Sequence, residues 1–159
     1  MKYIWKEIII GIFLVLLYGN CHNEKIQIEN ITGFFDKCLF SFSDQNDRLL
    51  NTVKLCEVSE LSGGSLSEER EAFKKLIKEV DSLQSELYKV IMPNPDFENL
   101  QKYFSNALRE YKQALIILSG ITPSTKTNCI NQAKEHIDQS SAYMLSYVKL
   151  VNNIKMKQK

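Results

Sequence analysis

The side chains able to do chemistry are few. Four cysteines and two histidines occur in 159 residues. Cysteine with histidine suggests metal ligation or thiol catalysis, and cysteine alone suggests a disulfide or a reactive thiol. Spacing argues against the first two. No His-Glu-x-x-His, Cys-x-x-Cys or paired Glu-x-x-His motif occurs, so a helix-borne metal site is not expected. His22 directly follows Cys21, and His136 is two helical turns from Cys129, too far for a catalytic pair. A glycine-rich phosphate loop and a Gly-x-Ser-x-Gly elbow are also missing. The expectation is a protein that is not an enzyme and carries no cofactor or metal.

The elements that position these residues follow from glycine and proline. Beyond residue 21, all of these except Gly33 fall in three clusters: Leu61–Ser65, Met92–Pro95 and Ser119–Pro123. Both residue types break helices and form turns. Three breaks give four segments, about 28–61, 66–91, 95–119 and 124–155. The first carries Ile28, Ile31, Phe35, Cys38, Phe42, Asn46, Leu49, Val53 and Cys56 at spacings of three and four. The second carries Phe73, Leu76, Val80, Leu83, Leu87 and Val90, and the third Phe97, Leu100, Phe104, Ala107, Tyr111, Ala114 and Leu118. The fourth carries Ile130, Ala133, Ile137, Ser141, Met144, Val148 and Val151.

This seven-residue repeat packs helices nearly parallel or antiparallel. Short links make sequential helices antiparallel neighbours. The expected fold is all-α, an up-down-up-down antiparallel four-helix bundle over 28–159. Ser65 with Glu68, or Ser67, can cap the second helix, and Asn94 with Pro95 the third. Gly120 can close the third, and Ser124 or Thr125 can open the fourth.

The bundle places the cysteines. Facing residues of antiparallel helices keep a constant index sum. Cys56 and Cys129 share the sum of Leu61 and Ser124, the helix ends they adjoin. They are expected at one level as a candidate disulfide, which would add about 4 kcal/mol. The alternative is that Cys38, Cys56 and Cys129 are all small buried apolar residues. Cys38, about five turns from Cys56, is expected to be a core thiol. The same sums put Asn46, Asp81, Asn106 and His136 at similar heights. Such a polar layer fixes register, with a ligand or proton-linked role as the sharper reading. Tyr88, Tyr103, Tyr111, Tyr143 and Tyr147 are expected to be core or half-buried.

Residues 1–20 read as a secretion signal. Lys2 and Lys6 precede an apolar run from Ile8 to Leu17, followed by Tyr18-Gly19-Asn20-Cys21. Ten apolar residues suit a signal core, whereas a membrane span needs roughly twenty. The end of this segment resembles that of bacterial lipoproteins, where a peptidase cuts before a cysteine bearing diacylglycerol. Tyr18 stands where Leu is usual and Asn20 where Gly or Ala is usual. Looser boxes of this kind, with Leu one place further back, are known in spirochaete lipoproteins. The resemblance covers about the first 21 residues. It implies lipid attachment at Cys21 (palmitate-class acyl chains), a tether over 21–27 and a place on the extracytoplasmic side of a bacterial envelope membrane. Two other fates fit the same residues: an uncleaved anchor over 3–18, or a cut after Gly19 that releases the domain.

Charge narrows the partners. Without Lys2, Lys6 and Glu7, the 20 basic and 19 acidic residues fall to 18 of each. No net positive charge remains to drive nucleic-acid binding. Lys149, Lys155, Lys157 and Lys159 form a basic tail that suits a helix C-terminus. Asn30-Ile31-Thr32 matches a glycosylation acceptor, and beside a bacterial-type signal it is read as chance. The expected function is a membrane-anchored helical module that binds another protein or packs in the envelope. The alternative is a small-ligand carrier or sensor with a pocket between helices, several hundred Å³ in size.

Overall fold

The computed structural model describes residues 29–56 and 66–157, with side chains through residue 154. The signal segment, Cys21, the tether over 21–27, residues 57–61 of the expected first helix and the cap residue Ser65 lie outside the described residues. Among the described residues there are four helices and no strand: α1 over 29–56, α2 Ser67–Lys89, α3 Pro95–Ser119 and α4 Lys126–Lys157. The fold is an all-α four-helix bundle.

The chain divides into two compact units after Lys37. In the described part of the first, Ile31 and Phe35 are buried, and Phe34 meets Phe35 edge-on at 5.8 Å between centroids. The second unit begins at Cys38.

Pairs across the helices give the topology. Arg48 bonds Glu79, and along the same seam Gln45 and Ser41 meet Ser82 and Glu86. Tyr88 meets Ser105 and Asp81 meets Lys112. Ser140 bonds the Ala107 carbonyl and His136 bonds Glu110. In each seam one number rises as the other falls, so the sequential helices run antiparallel.

α3 is the middle of the unit. Phe97, Leu100, Phe104, Ala107, Tyr111, Ala114 and Leu118 are buried as the heptad pattern requires, and Ser105, Leu108 and Leu115 widen the buried face. The wider face follows from its neighbours, since α3 makes contacts with α1, α2 and α4. Phe42 of α1 packs edge-on against Phe104 at 6.0 Å and Tyr111 at 5.2 Å, and Phe104 packs on Tyr147 of α4 at 5.5 Å. Each aromatic side chain buries roughly 150–250 Å² and such ring pairs add about 0.5–1.5 kcal/mol beyond area burial. On α2, Phe73, Leu76, Val80, Leu83 and Leu87 are buried as expected.

Two faces differ from the heptad reading. On α1 the buried polar residue is Gln45, whereas Asn46 is only half-buried. On α4 the buried line is Ala133, Ser140, Tyr147 and Ile154. Ser141 and Val148 are exposed. Tyr147 buries more apolar area than Val148 could, so its ring takes the core and turns the helix by one residue.

The ends are capped locally. Asn94 is extended, its Oδ1 accepts from the Phe97 N–H at 3.2 Å, and Pro95 sits at the first helical position. At α2 the cap position is Leu66, with no side-chain hydrogen bond, so Ser67 opens the helix from within and does not cap it. Gly120 closes α3 with φ of −93°, ordinary backbone, its N–H bonding the Ile117 carbonyl. Before α4, Thr122 and Thr125 bond each other through Oγ1 and backbone N–H. The Thr125 carbonyl takes the Cys129 N–H as the first helical bond.

Candidate functional site

The expected polar layer does not assemble. Asp81 is exposed and pairs with Lys112 at 2.5 Å. His136 Nδ1 lies 2.9 Å from Glu110 Oε2, while Glu110 Oε1 takes the Arg109 guanidinium at 3.1 Å. Asn106 lines a separate groove between α2 and α3. Asn46 joins none of these groups. Asp81 stands level with Lys112 and not with Asn106, which lies six residues, about 9 Å, away along α3 on the same seam, and His136 faces the α3–α4 seam instead.

Other polar groups hold the inside. Tyr111 is 1% exposed, and its hydroxyl donates to the Gln45 carbonyl at 2.7 Å. Burial pushes the Tyr111 phenol further up than its ordinary value, so it stays neutral. Ser140 donates to the Ala107 carbonyl at 2.8 Å, which satisfies a hydroxyl buried in α4. Gln101 Nε2 reaches the Leu87 carbonyl at 2.8 Å and the Val90 carbonyl at 3.2 Å, covering the last turn of α2.

The α1–α2 seam carries the main ionic group. Arg48 forks onto Glu79, with Nη1 to Oε1 at 3.1 Å and Nη2 to Oε2. Its Nε stands 3.1 Å from Asp44 Oδ2, within ion-pair reach but not aligned as a hydrogen bond. The hydrogen bond from Arg48 holds the Glu79 carboxyl below its ordinary value. Glu110 is held down likewise, first by the His136 bond and then by Arg109. Both pairs are partly open to solvent, so each contributes about 0–1 kcal/mol. Sequence spacing missed Arg48 and Glu79, although their index sum is that of Leu61 and Leu66, the expected ends of the first two helices.

Among the described residues, open clefts lie on the helix seams. The α2–α3 cleft, about 250 Å³, is lined by Tyr88, Glu98, Gln101, Lys102, Ser105 and Asn106. The α3–α4 cleft, about 360 Å³, is lined by Asn99, Tyr103, Ser146, Lys149, Leu150 and Asn153. The α1–α2 cleft, about 200 Å³, is lined by Ser41, Gln45, Glu79, Ser82, Leu83 and Glu86. Among the described residues no group of three or more His, Cys, Asp and Glu side chains could hold a metal ion.

The structure holds Cys38, Cys56 and Cys129 as thiols, Cys38 and Cys56 buried and Cys129 half-buried, so the candidate Cys56–Cys129 bridge is not formed in it. Burial first, and Glu86 second, push the Cys38 thiol up to about 11, so it is protonated and unreactive near neutrality. Cys38 is thus the core thiol its heptad position implies. Comparison of the chain with protein families, with curated proteins and with solved structures finds no match.

Proposed function

We propose that the chain is a membrane-anchored, extracytoplasmic helical lipoprotein of a bacterial envelope, acylated at Cys21, whose bundle binds another protein or packs in the envelope. The anchor rests on the signal-length apolar run that ends at Cys21. No described helix is long and apolar enough to cross a membrane, so anchoring of these helices needs a separate device. Two acyl chains suffice for stable attachment.

The observation that carries the protein-binding role is the outer face of α4. Leu145 is 57% exposed and Val148 41% exposed, three residues apart and so on one face. Together they form an apolar ridge that the fold leaves uncovered, the kind of feature protein contacts use. The small-ligand carrier reading would place its pocket in the core. That core is filled by Phe42, Phe104, Tyr111 and Tyr147, and the clefts are open seams.

Oxidation of the Cys56 and Cys129 thiols to a disulfide belongs to the same proposal, because extracytoplasmic compartments are oxidising. The test is detergent phase partition of the full chain expressed in a bacterium with lipoprotein processing. The unaltered protein should enter the detergent phase and the Cys21→Ser variant the aqueous phase. Partition that ignores Cys21→Ser would overturn the anchor.

A further inference from the structure

The two ends of the second unit treat their turns differently. The turn between α3 and α4 carries Ile121, which is 0% exposed. The turn between α2 and α3 carries Ile91, which is 83% exposed, more than any other large apolar side chain among the described residues. Residues 90–95, Val-Ile-Met-Pro-Asn-Pro, include no charged side chain, and Pro93 and Pro95 are exposed beside Ile91. Tyr88, 62% exposed, stands just before them on α2. Single exposed apolar side chains are ordinary, whereas an apolar tip several residues wide marks a contact surface. The flanks of the tip are fixed. Gln101 Nε2 donates to the Leu87 and Val90 carbonyls, and Asn94 Oδ1 accepts from the Phe97 N–H.

What the tip meets follows from where the chain enters and leaves the unit. The unit begins at Cys38, within the field of Glu86 near the end of α2. The segment that follows Cys21 therefore joins it at the Ile91 end. α3, 25 residues and about 38 Å long, separates this end from the Ile121 turn. α4 also finishes at the Ile91 end, since Asn99 of α3 and Asn153 of α4 line one cleft. Lys149 is exposed there, and Lys155 and Lys157 occupy the last turn of α4. With Lys89 and Lys102, these lysines outnumber the acids of the same end, Glu86, Asp96 and Glu98. An apolar tip with a basic surround is the composition that engages an anionic bilayer, apolar residues at the head-group boundary and lysines near the phosphates.

We propose that the Ile91 end of the bundle docks on the surface of an anionic phospholipid bilayer, with Ile91 among the head groups and the lysines of α4 beside it. The inference rests on the anchor at Cys21, which holds the tip at high local concentration over the bilayer. A small apolar tip and a few lysines bind weakly alone, and attachment makes such a contact effective. The unit then stands on the membrane with its Ile121 end outermost.

The test uses the full chain, processed in a bacterium and reconstituted into vesicles of phosphatidylglycerol and phosphatidylcholine, with brominated phosphatidylcholine as quencher. Trp5 is the one tryptophan of the sequence, so Trp5→Phe clears the background. Ile91→Trp then places a reporter at the docked end. Ile116→Trp, at a position 44% exposed near the end of α3, places one at the far end. Both positions are open enough to take the larger ring. Both variants should float with the vesicles, and Ile91→Trp should be quenched about threefold more than Ile116→Trp. That excess should fall about twofold or more in vesicles without phosphatidylglycerol and at roughly 1 M salt. Equal quenching of the two variants in chain that floats would overturn the docking and leave the anchor standing. An excess indifferent to both lipid charge and salt would overturn the anionic bilayer as the partner. Chain that does not float would overturn the anchor, and the docking with it.

Discussion

Tyr111 links the central helix to α1 twice, through its ring against Phe42 and its hydroxyl on the Gln45 carbonyl. Replacement by Phe keeps the ring and removes one buried hydrogen bond. Tyr111→Phe should lose about 1 kcal/mol, read as a lower urea midpoint with an unchanged slope. Gln45→Leu should behave in the opposite way. It removes an unsatisfied buried oxygen and keeps the volume, so stability should hold or rise by about 1 kcal/mol in the same experiment. A residue kept for packing alone would lose stability on this change. Phe104, Tyr111 and Cys38 were legible in the sequence because apolar periodicity marks them. Gln45 was not, because both 45 and 46 satisfy a three-four spacing between Phe42 and Leu49. The choice was made by packing against α3.

At the scale of the element, helix boundaries were legible where a local mechanism sets them. Asn94-Pro95 marks the start of α3 to the residue, since the side-chain bond and the fixed proline φ need no tertiary partner. Asn94→Ala should cost about 1 kcal/mol in urea denaturation, and Asn94→Ser should recover most of it. The buried face of α4 was less legible. Its apolar residues are sparse, and the neighbouring α3 decided that Tyr147 and not Val148 turns inward. The seams between elements also set the acid response. Glu79 and Glu110 have folded-state values below the ordinary 4.5. Their contribution is therefore complete above that value and is lost as pH falls through the lower, folded values. The urea midpoint should fall from roughly pH 5 downward, and Glu110→Gln should make that fall shallower.

At the scale of the whole molecule, the number of helices and their alternating direction followed from three proline or glycine clusters. Which surface is functional did not, because a bundle supports many roles and its surface is not periodic. The fold supplies a filled aromatic core, an apolar ridge on α4 and an acidic cleft between α1 and α2. The proposal that this body is held at a membrane surface turns on Cys21. Intact-mass analysis of protein extracted from membranes, without reduction, tests it most directly. The account predicts a chain that begins at Cys21, carries diacylglycerol mass, and is two hydrogens lighter through a Cys56–Cys129 bridge. A chain that still begins at Met1 and carries no acyl mass would contradict it.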